Sequence, residues 1–239
     1  MVGLGTVINV GGIVAGGVVG LLLGGRMQKR FQDTLMSAIA LCVLFLGISG
    51  CLKEIFVISE DGLESGGTMM MIGSFAIGAL LGELLDLEGK MERFGAWLKR
   101  KTKSDGDATF VDGFVTASLT ACIGAMAVVG AIQDGIRGDN SVLLAKAVLD
   151  LIIVMILTAS MGKGCIFSAI PVGLFQGTIT VLARQLQPLM TEPALSNLSL
   201  TGSMLIFCIG VNSIWGKKFK VANLLPTIFV AMAWGILAK

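Results

Sequence analysis

The chain has 239 residues, 54% hydrophobic and 14% charged, with a formal net charge of +2. A soluble domain of this length needs more charge to cover its surface. The lack of His and Tyr removes imidazole metal sites, serine–histidine triads and tyrosine radicals.

Charges cluster between long apolar runs. No Asp, Glu, Lys or Arg occurs in 1–25, 34–52, 65–82, 113–133, 164–183, 193–216 or 221–238. Each run approaches the roughly 20 residues a helix needs to cross the hydrocarbon. Segment 141–162 makes an eighth if its two charges are tolerated. The sequence therefore predicts an all-α polytopic membrane protein of about eight transmembrane helices, with 1–239 as one integral membrane domain. The first run lacks a basic start and is too long for a signal h-region, so it is expected to stay.

The first span carries Gly12, Gly16, Gly20 and Gly24 at every fourth position, and Asn9 in its outer half. The third span matches it without gaps, Gly16 onto Gly78 and Gly20 onto Gly82. Such stripes are packing faces between helices in lipid. The second span echoes the seventh, Leu35 onto Leu198 and Gly47 onto Gly210, in the opposite direction. Gly16 and Gly20 likewise echo Gly173 and Gly177. An inverted repeat of spans 1–3 and 6–8 would look like this, and secondary transporters use such repeats. In the loop 86–109, Met91, Phe94, Trp97 and Leu98 share a helical face among basic residues, which suits an interfacial amphipathic helix. The five cysteines form no CxxC pair and read as small apolar core residues.

The polar residues of the later spans carry the functional signal. "GAIQDGIRGDN" ends the fourth span with Gln133, Asp134, Asp139 and Asn140. Lys146 and Asp150 lie four apart, on one face of the fifth. At ~1.5 Å per residue, Asp150 sits roughly 13 Å below the outer end. An acid at that depth must face protein or water. It is either half of an ion pair locking helices together or part of an ion or substrate site. In the sixth span, Pro171 with Gly173 and Gly177 predicts a kink or unwound turn beside Gln176. Asn212 and Asn223 flank the last inner loop.

With the N-terminus outside, inner loops hold 13 of the 18 Lys and Arg, including Arg26, and outer segments hold 4, including Lys239. The positive-inside rule then places both termini outside.

The strings "ACIGAMAVVGAIQDGIRGDNSVLLAKAVLD", "FSAIPVGLFQG", "GTVINVGGIVAGG" and "VANLLPTIF" resemble the YqgA-type bacterial membrane proteins, domain of unknown function 554. The resemblance covers almost the full chain. It implies a bacterial inner-membrane location and no activity. From the residues themselves, the leading expectation is a secondary transporter or ion-coupled channel for a small polar or ionic solute. Its site would comprise Asp150, Lys146, Gln133, Asp134, Gln176, Asn9 and Asn212, with Asp150 carrying H+ or Na+. The alternative is a structural or assembly protein whose stripes serve oligomer contacts, such as a homodimer. No enzyme activity, resident metal, cofactor or nucleic-acid partner is expected. The lipid bilayer is the expected surrounding.

Overall fold

A computed structural model of the protein describes residues 2–25, 28–59 and 62–237. Arg26 and Lys239, both in the charge count above, lie outside the described residues. The helices are α1 (Leu4–Gly24), α2 (Lys29–Ile55), α3 (Thr68–Leu85), α4 (Leu87–Lys101), α5 (Phe110–Cys122), α6 (Ala125–Arg137), α7 (Ser141–Met161), α8 (Ala169–Val181), the short α9 (Ala183–Leu186), α10 (Glu192–Trp215) and α11 (Pro226–Leu237). Tight 3₁₀ turns at Lys163–Ser168 and Val221–Leu224 lead into α8 and α11.

Every apolar run is helical, but not every run is one long helix. Among the described residues, six helical segments are long and apolar enough to cross a membrane. The run at 113–133 is broken: α5 and α6 meet at 60°. Gly124 stands at the break with φ of 134°, a conformation open to glycine. The last run forms a shorter apolar helix over Val221–Leu237. One element departs from the all-α expectation. Strands β1 (Phe56–Ser59) and β2 (Gly62–Ser65) pair antiparallel between α2 and α3. "FVIS" holds β-branched and aromatic residues that favour extended backbone.

The chain gathers into two compact units, each discontinuous in sequence. The first holds residues 1–39, 89–122 and 126–187; the second holds 40–88, 123–125 and 188–239.

In the first unit α1 lies along α7. A Cβ added at Gly16 would fall on the Leu151 carbonyl oxygen, and one at Gly20 on that of Met155. Gly24 meets the Ala159 carbonyl at 2.7 Å and Gly12 that of Ala147 at 3.0 Å. The numbers rise together, so the two helices are parallel. Helix α8 runs the other way beside α1, with Gly173 against Val10. The apolar core joins Ile13, Ala117, Val154, Leu157, Cys165 and Val172. Helix α4 begins in the second unit and passes into the first, where Phe94 stacks on Trp97 and meets Phe114 edge-on.

In the second unit α3 packs antiparallel on α11. A Cβ at Gly78 would strike the Thr227 backbone, and one at Gly82 the Asn223 carbonyl. Helices α2 and α10 cross through a reciprocal contact. Gly47 would meet Phe207 N, Cα and Cβ at 2.5, 2.7 and 2.8 Å; Gly210 would meet the same atoms of Leu44 at 2.7, 2.8 and 2.9 Å. Helix α10 starts at Thr191, whose hydroxyl accepts from Ala194 N, with Pro193 in the first turn.

These contacts predict sharp position dependence. Gly16→Leu and Gly78→Leu should each cost about 3 kcal/mol or more, since a backbone cannot move aside as a side chain can. Gly11→Leu should cost little, because an added Cβ there meets nothing within 4 Å. Thermal unfolding of the purified variants checks this; equal melting of all three would contradict it.

Candidate functional site

The charged pair of the fifth span sits on α7. The helix opens where the Asp139 carboxylate accepts hydrogen bonds from the Ser141 hydroxyl and amide. Those bonds hold the exposed Asp139 carboxyl below its ordinary range. Helix α7 ends at Gly162, with φ of 84°. Lys146 Nζ donates to both oxygens of Asp150, at 2.9 and 2.8 Å. Lys146 is 6% exposed and Asp150 4%. The pair joins one turn of α7 to the next and is not a lock between two helices.

Its surroundings are polar on one side. The Asn9 side chain of α1 reaches the Asp150 carboxylate. Cys122, at the end of α5, lies close enough to feel both charges. The break that follows Cys122 leaves the last carbonyls of α5 without a continuing helix.

A second polar line runs up α1. Asn9 Nδ2 donates to Gln176 Oε1 of α8 at 3.2 Å. The Thr6 and Thr180 hydroxyls lie 3.3 Å apart. Gly5 N donates to Asp134 Oδ2 of α6 at 3.0 Å. Asn9, Gln176 and Asp134 are fully buried, yet each keeps an atom with no hydrogen-bond partner: Asn9 Oδ1, Gln176 Nε2 and Asp134 Oδ1. Buried polar atoms are normally paired, and a half-satisfied network is costly. The unit thus gathers two acids, one ammonium, two amides and two hydroxyls, with acceptors and a donor left over.

Of the residues singled out in the sequence, Asn9, Asp134, Lys146, Asp150 and Gln176 fall in this unit and on these facing helices. Gln133 adjoins Asp134 on α6, half-buried. Pro171 does not break its helix, and neither do Gly173 and Gly177. Pro171 sits in the first turn of α8, where a missing N–H is harmless, and the irregular backbone comes earlier, at Lys163–Ser168. Gly177 faces open space. Asn212 and Asn223 belong to the second unit and hold the loop between α10 and α11. Asn212 Nδ2 donates to the Phe219 carbonyl, and its Oδ1 accepts from Lys218 N and Phe219 N. Asn223 Oδ1 accepts from Glu88 N, and its Nδ2 donates to Glu83.

Sequence reasoning missed Thr6 and Thr180. Thr6 stands three residues before Asn9, and Thr180 four after Gln176, so helical spacing alone puts each beside its neighbour. It also missed the ionic lock of the second unit. Glu88 takes Lys217 at 2.9 Å and Ala222 N at 2.9 Å, while Glu83 takes Lys220 at 2.7 Å. The Glu83 carboxylate raises the pKa of Lys220.

The second unit has a cavity of about 600 Å³ lined by Ile48, Cys51, Phe75, Met204, Phe207 and Cys208, among others. Its lining is almost wholly apolar, so it has nothing to orient a polar ligand.

Residues 4–236 match the sequence profile of a family described as "Protein of unknown function (DUF554)". The chain is 30% identical over 239 residues to "Uncharacterized membrane protein YdfK" of Bacillus subtilis (strain 168), covering 97% of this chain and 98% of that one. It is 28% identical over 233 residues to "Uncharacterized protein YqgA" of Escherichia coli (strain K12), covering 96% and 94%. No solved structure matches significantly.

The pair sets a stability cycle. Asp150→Asn leaves a buried ammonium without its partner and should cost about 3–5 kcal/mol. Adding Lys146→Met removes both charges and should return stability to within about 1 kcal/mol of the starting protein. Denaturation of the three proteins in one detergent reads this out. An unchanged Asp150→Asn would mean that Lys146 finds another partner.

Proposed function

We propose, for a chain that belongs to the family described as "Protein of unknown function (DUF554)", that it moves a small polar or ionic solute across a bacterial inner membrane, as a secondary transporter or ion-coupled channel. One observation carries this reading. The Lys146–Asp150 pair is buried, yet it lies within a single helix. A buried ion pair contributes little to stability, and this one sets both charges on α7, with an uncharged amide, Asn9 of α1, as its contact to another helix. A charge pair that can open toward a solute suits it better. In that role Asp150 exchanges Lys146 for a proton, a cation or a cationic group of the solute. Gln176 then binds the rest through the amide nitrogen it holds unpaired. No catalytic step is assigned.

Helix directions support an eight-span topology. Parallel α1 and α7 require an odd number of crossings between them. Helices α2 and α3 supply two, so the broken α5–α6 supplies the third as a crossing rather than a re-entrant loop. Helices α8, α10 and the shorter α11 complete eight, and the charge bias then puts both termini outside. Discontinuous spans at membrane depth are a transporter habit. The reciprocal contact of α2 and α10 supports an inverted repeat. Residues 44 and 47 exchange roles with 207 and 210, at the offset that maps Gly47 onto Gly210. The echo of the first span in the sixth has no such counterpart, since Gly20 meets a backbone and Gly177 meets nothing.

The assembly reading loses its main support. Gly12, Gly16, Gly20 and Gly24 are occupied by α7, and Gly78 and Gly82 by α11 and the turn before it, so these stripes are not free for a second copy.

Two measurements test the proposal. Replace the native cysteines, place one at exposed Asp105 or Arg137, and label intact cells with an impermeant maleimide. Arg137→Cys should label from outside and Asp105→Cys should not; the reverse pattern inverts the topology. Then compare uptake of amino acids and small carboxylates into proteoliposomes. The protein should move at least one, and Asp150→Asn and the double variant with Lys146→Met should both lose at least about tenfold of that flux, about 1.4 kcal/mol. A double variant that regains both stability and flux makes the pair structural.

A further inference from the structure

The Lys146–Asp150 pair is neutral as a whole, but the same unit buries a second acid. Asp134 has no exposure to solvent, and no Lys or Arg among the described residues pairs with it. Lys146 spends its bonds on Asp150. One Asp134 oxygen accepts from Gly5 N; the other has no partner.

Helix α1 begins at Gly3, which offers no side-chain cap. Asp134 supplies that cap from another helix, through the bond from Gly5 N. The free N–H groups and the dipole of a helix's amino end attract negative charge. The second oxygen of Asp134 has no partner in a site without solvent exposure, where an unanswered polar atom is costly. A bound cation meets that oxygen and leaves the cap in place.

The neighbouring oxygens suit a small hard cation. Thr6 follows Gly5 on α1, and its hydroxyl faces that of Thr180. A Cβ on Gly135, the residue after Asp134, would strike the Thr180 carbonyl, so α6 and α8 touch at this level. One turn further along α1, Asn9 keeps Oδ1 unpaired. Carboxylate, hydroxyl and amide oxygens are hard ligands. A single carboxylate balances one positive charge, not two.

We infer that Asp134 holds a sodium ion, with oxygens from Thr6, Thr180 and Asn9 completing its shell. This deepens the transport reading and rests on it for its purpose: the ion is the one that couples solute movement to a gradient. The site adjoins the Lys146–Asp150 pair through Asn9, but its carboxylate is a different one, so each can be removed on its own.

The test is thermal unfolding of the full chain in nanodiscs, with NaCl replaced stepwise by choline chloride or KCl at constant ionic strength. Sodium should raise the melting temperature along a saturating curve, as a ligand of the folded state does. Asp134→Asn keeps an oxygen for Gly5 N and should abolish the sodium response. Thr180→Val leaves the cap intact and should raise the half-saturating concentration about tenfold, the equivalent of one lost ligand; if Asp134→Asn does not fold, this variant decides. Asp150→Asn should keep the response while losing flux, which separates this site from the transport proposal. Equal melting in sodium and choline overturns the inference, as does a response equal in potassium or one that follows pH alone. A response that survives in Asp134→Asn, or an unshifted midpoint in Thr180→Val, also overturns it.

Discussion

Helix α1 rests on the carbonyl oxygens of α7, and the first unit depends on that contact. Apolar helices in hydrocarbon gain little from burying one another, because lipid tails are equally apolar. Attraction must come from close backbone approach. Gly16 and Gly20 lie against Leu151 and Met155, a constant offset along both helices. That offset fixes the depth of α1. It brings Asn9 into reach of Asp150 and carries Gly5 to Asp134 and Thr6 to Thr180. A side chain at Gly16 would move these polar groups out of register as well as unpack the helices. The glycine stripe is thus the frame of the polar site as much as of the fold.

The two units use their charges differently. In the second, Glu83 and Glu88 take Lys220 and Lys217 across chain segments, and Asn223 donates to the Glu83 carboxylate while accepting from the Glu88 backbone amide. These contacts join the end of α3 and start of α4 to the loop before α11. Lys217 and Lys220 are exposed, so their bonds are weak singly and screened by salt. They count as a network that holds a loop in place. The Lys146–Asp150 pair has the reverse character, deeply buried and confined to one helix. A fold that needed an ionic tie between helices would have built it as the second unit does.

The helical class, the apolar runs and the stripes could be read from the sequence because lipid imposes strong rules on length and small residues. Lys146 and Asp150 were legible for the same reason, since charge in an apolar run is conspicuous. The α5–α6 break was not. Gly124 is one of 33 glycines, and nothing local sets it apart from those that pack helices. Pro171 misled in the opposite way. A proline reads as a kink unless the helix start is known, and here the helix starts two residues before it. Asn212 and Asn223 drew attention because amides are rare in such runs, but a loop with many backbone N–H groups needs acceptors just as a ligand does. Only the fold tells these uses apart.

The unpaired atoms of the first unit share one physical meaning. In water, a stray amide or carboxylate oxygen costs little, because solvent supplies a partner. At membrane depth no solvent is guaranteed, and each orphan is a standing cost. The first unit holds such atoms on Asn9, Asp134, Thr158, Ser168 and Gln176, and three of them, on α1, α6 and α8, lie along the polar line beside the charge pair that Asn9 also reaches. A structural core would have evolved apolar residues there at no loss of fold, as buried polar groups can often be replaced without harm. The unit instead keeps amides, hydroxyls and two acids buried, beside glycine contacts that hold α1 at a fixed offset on α7.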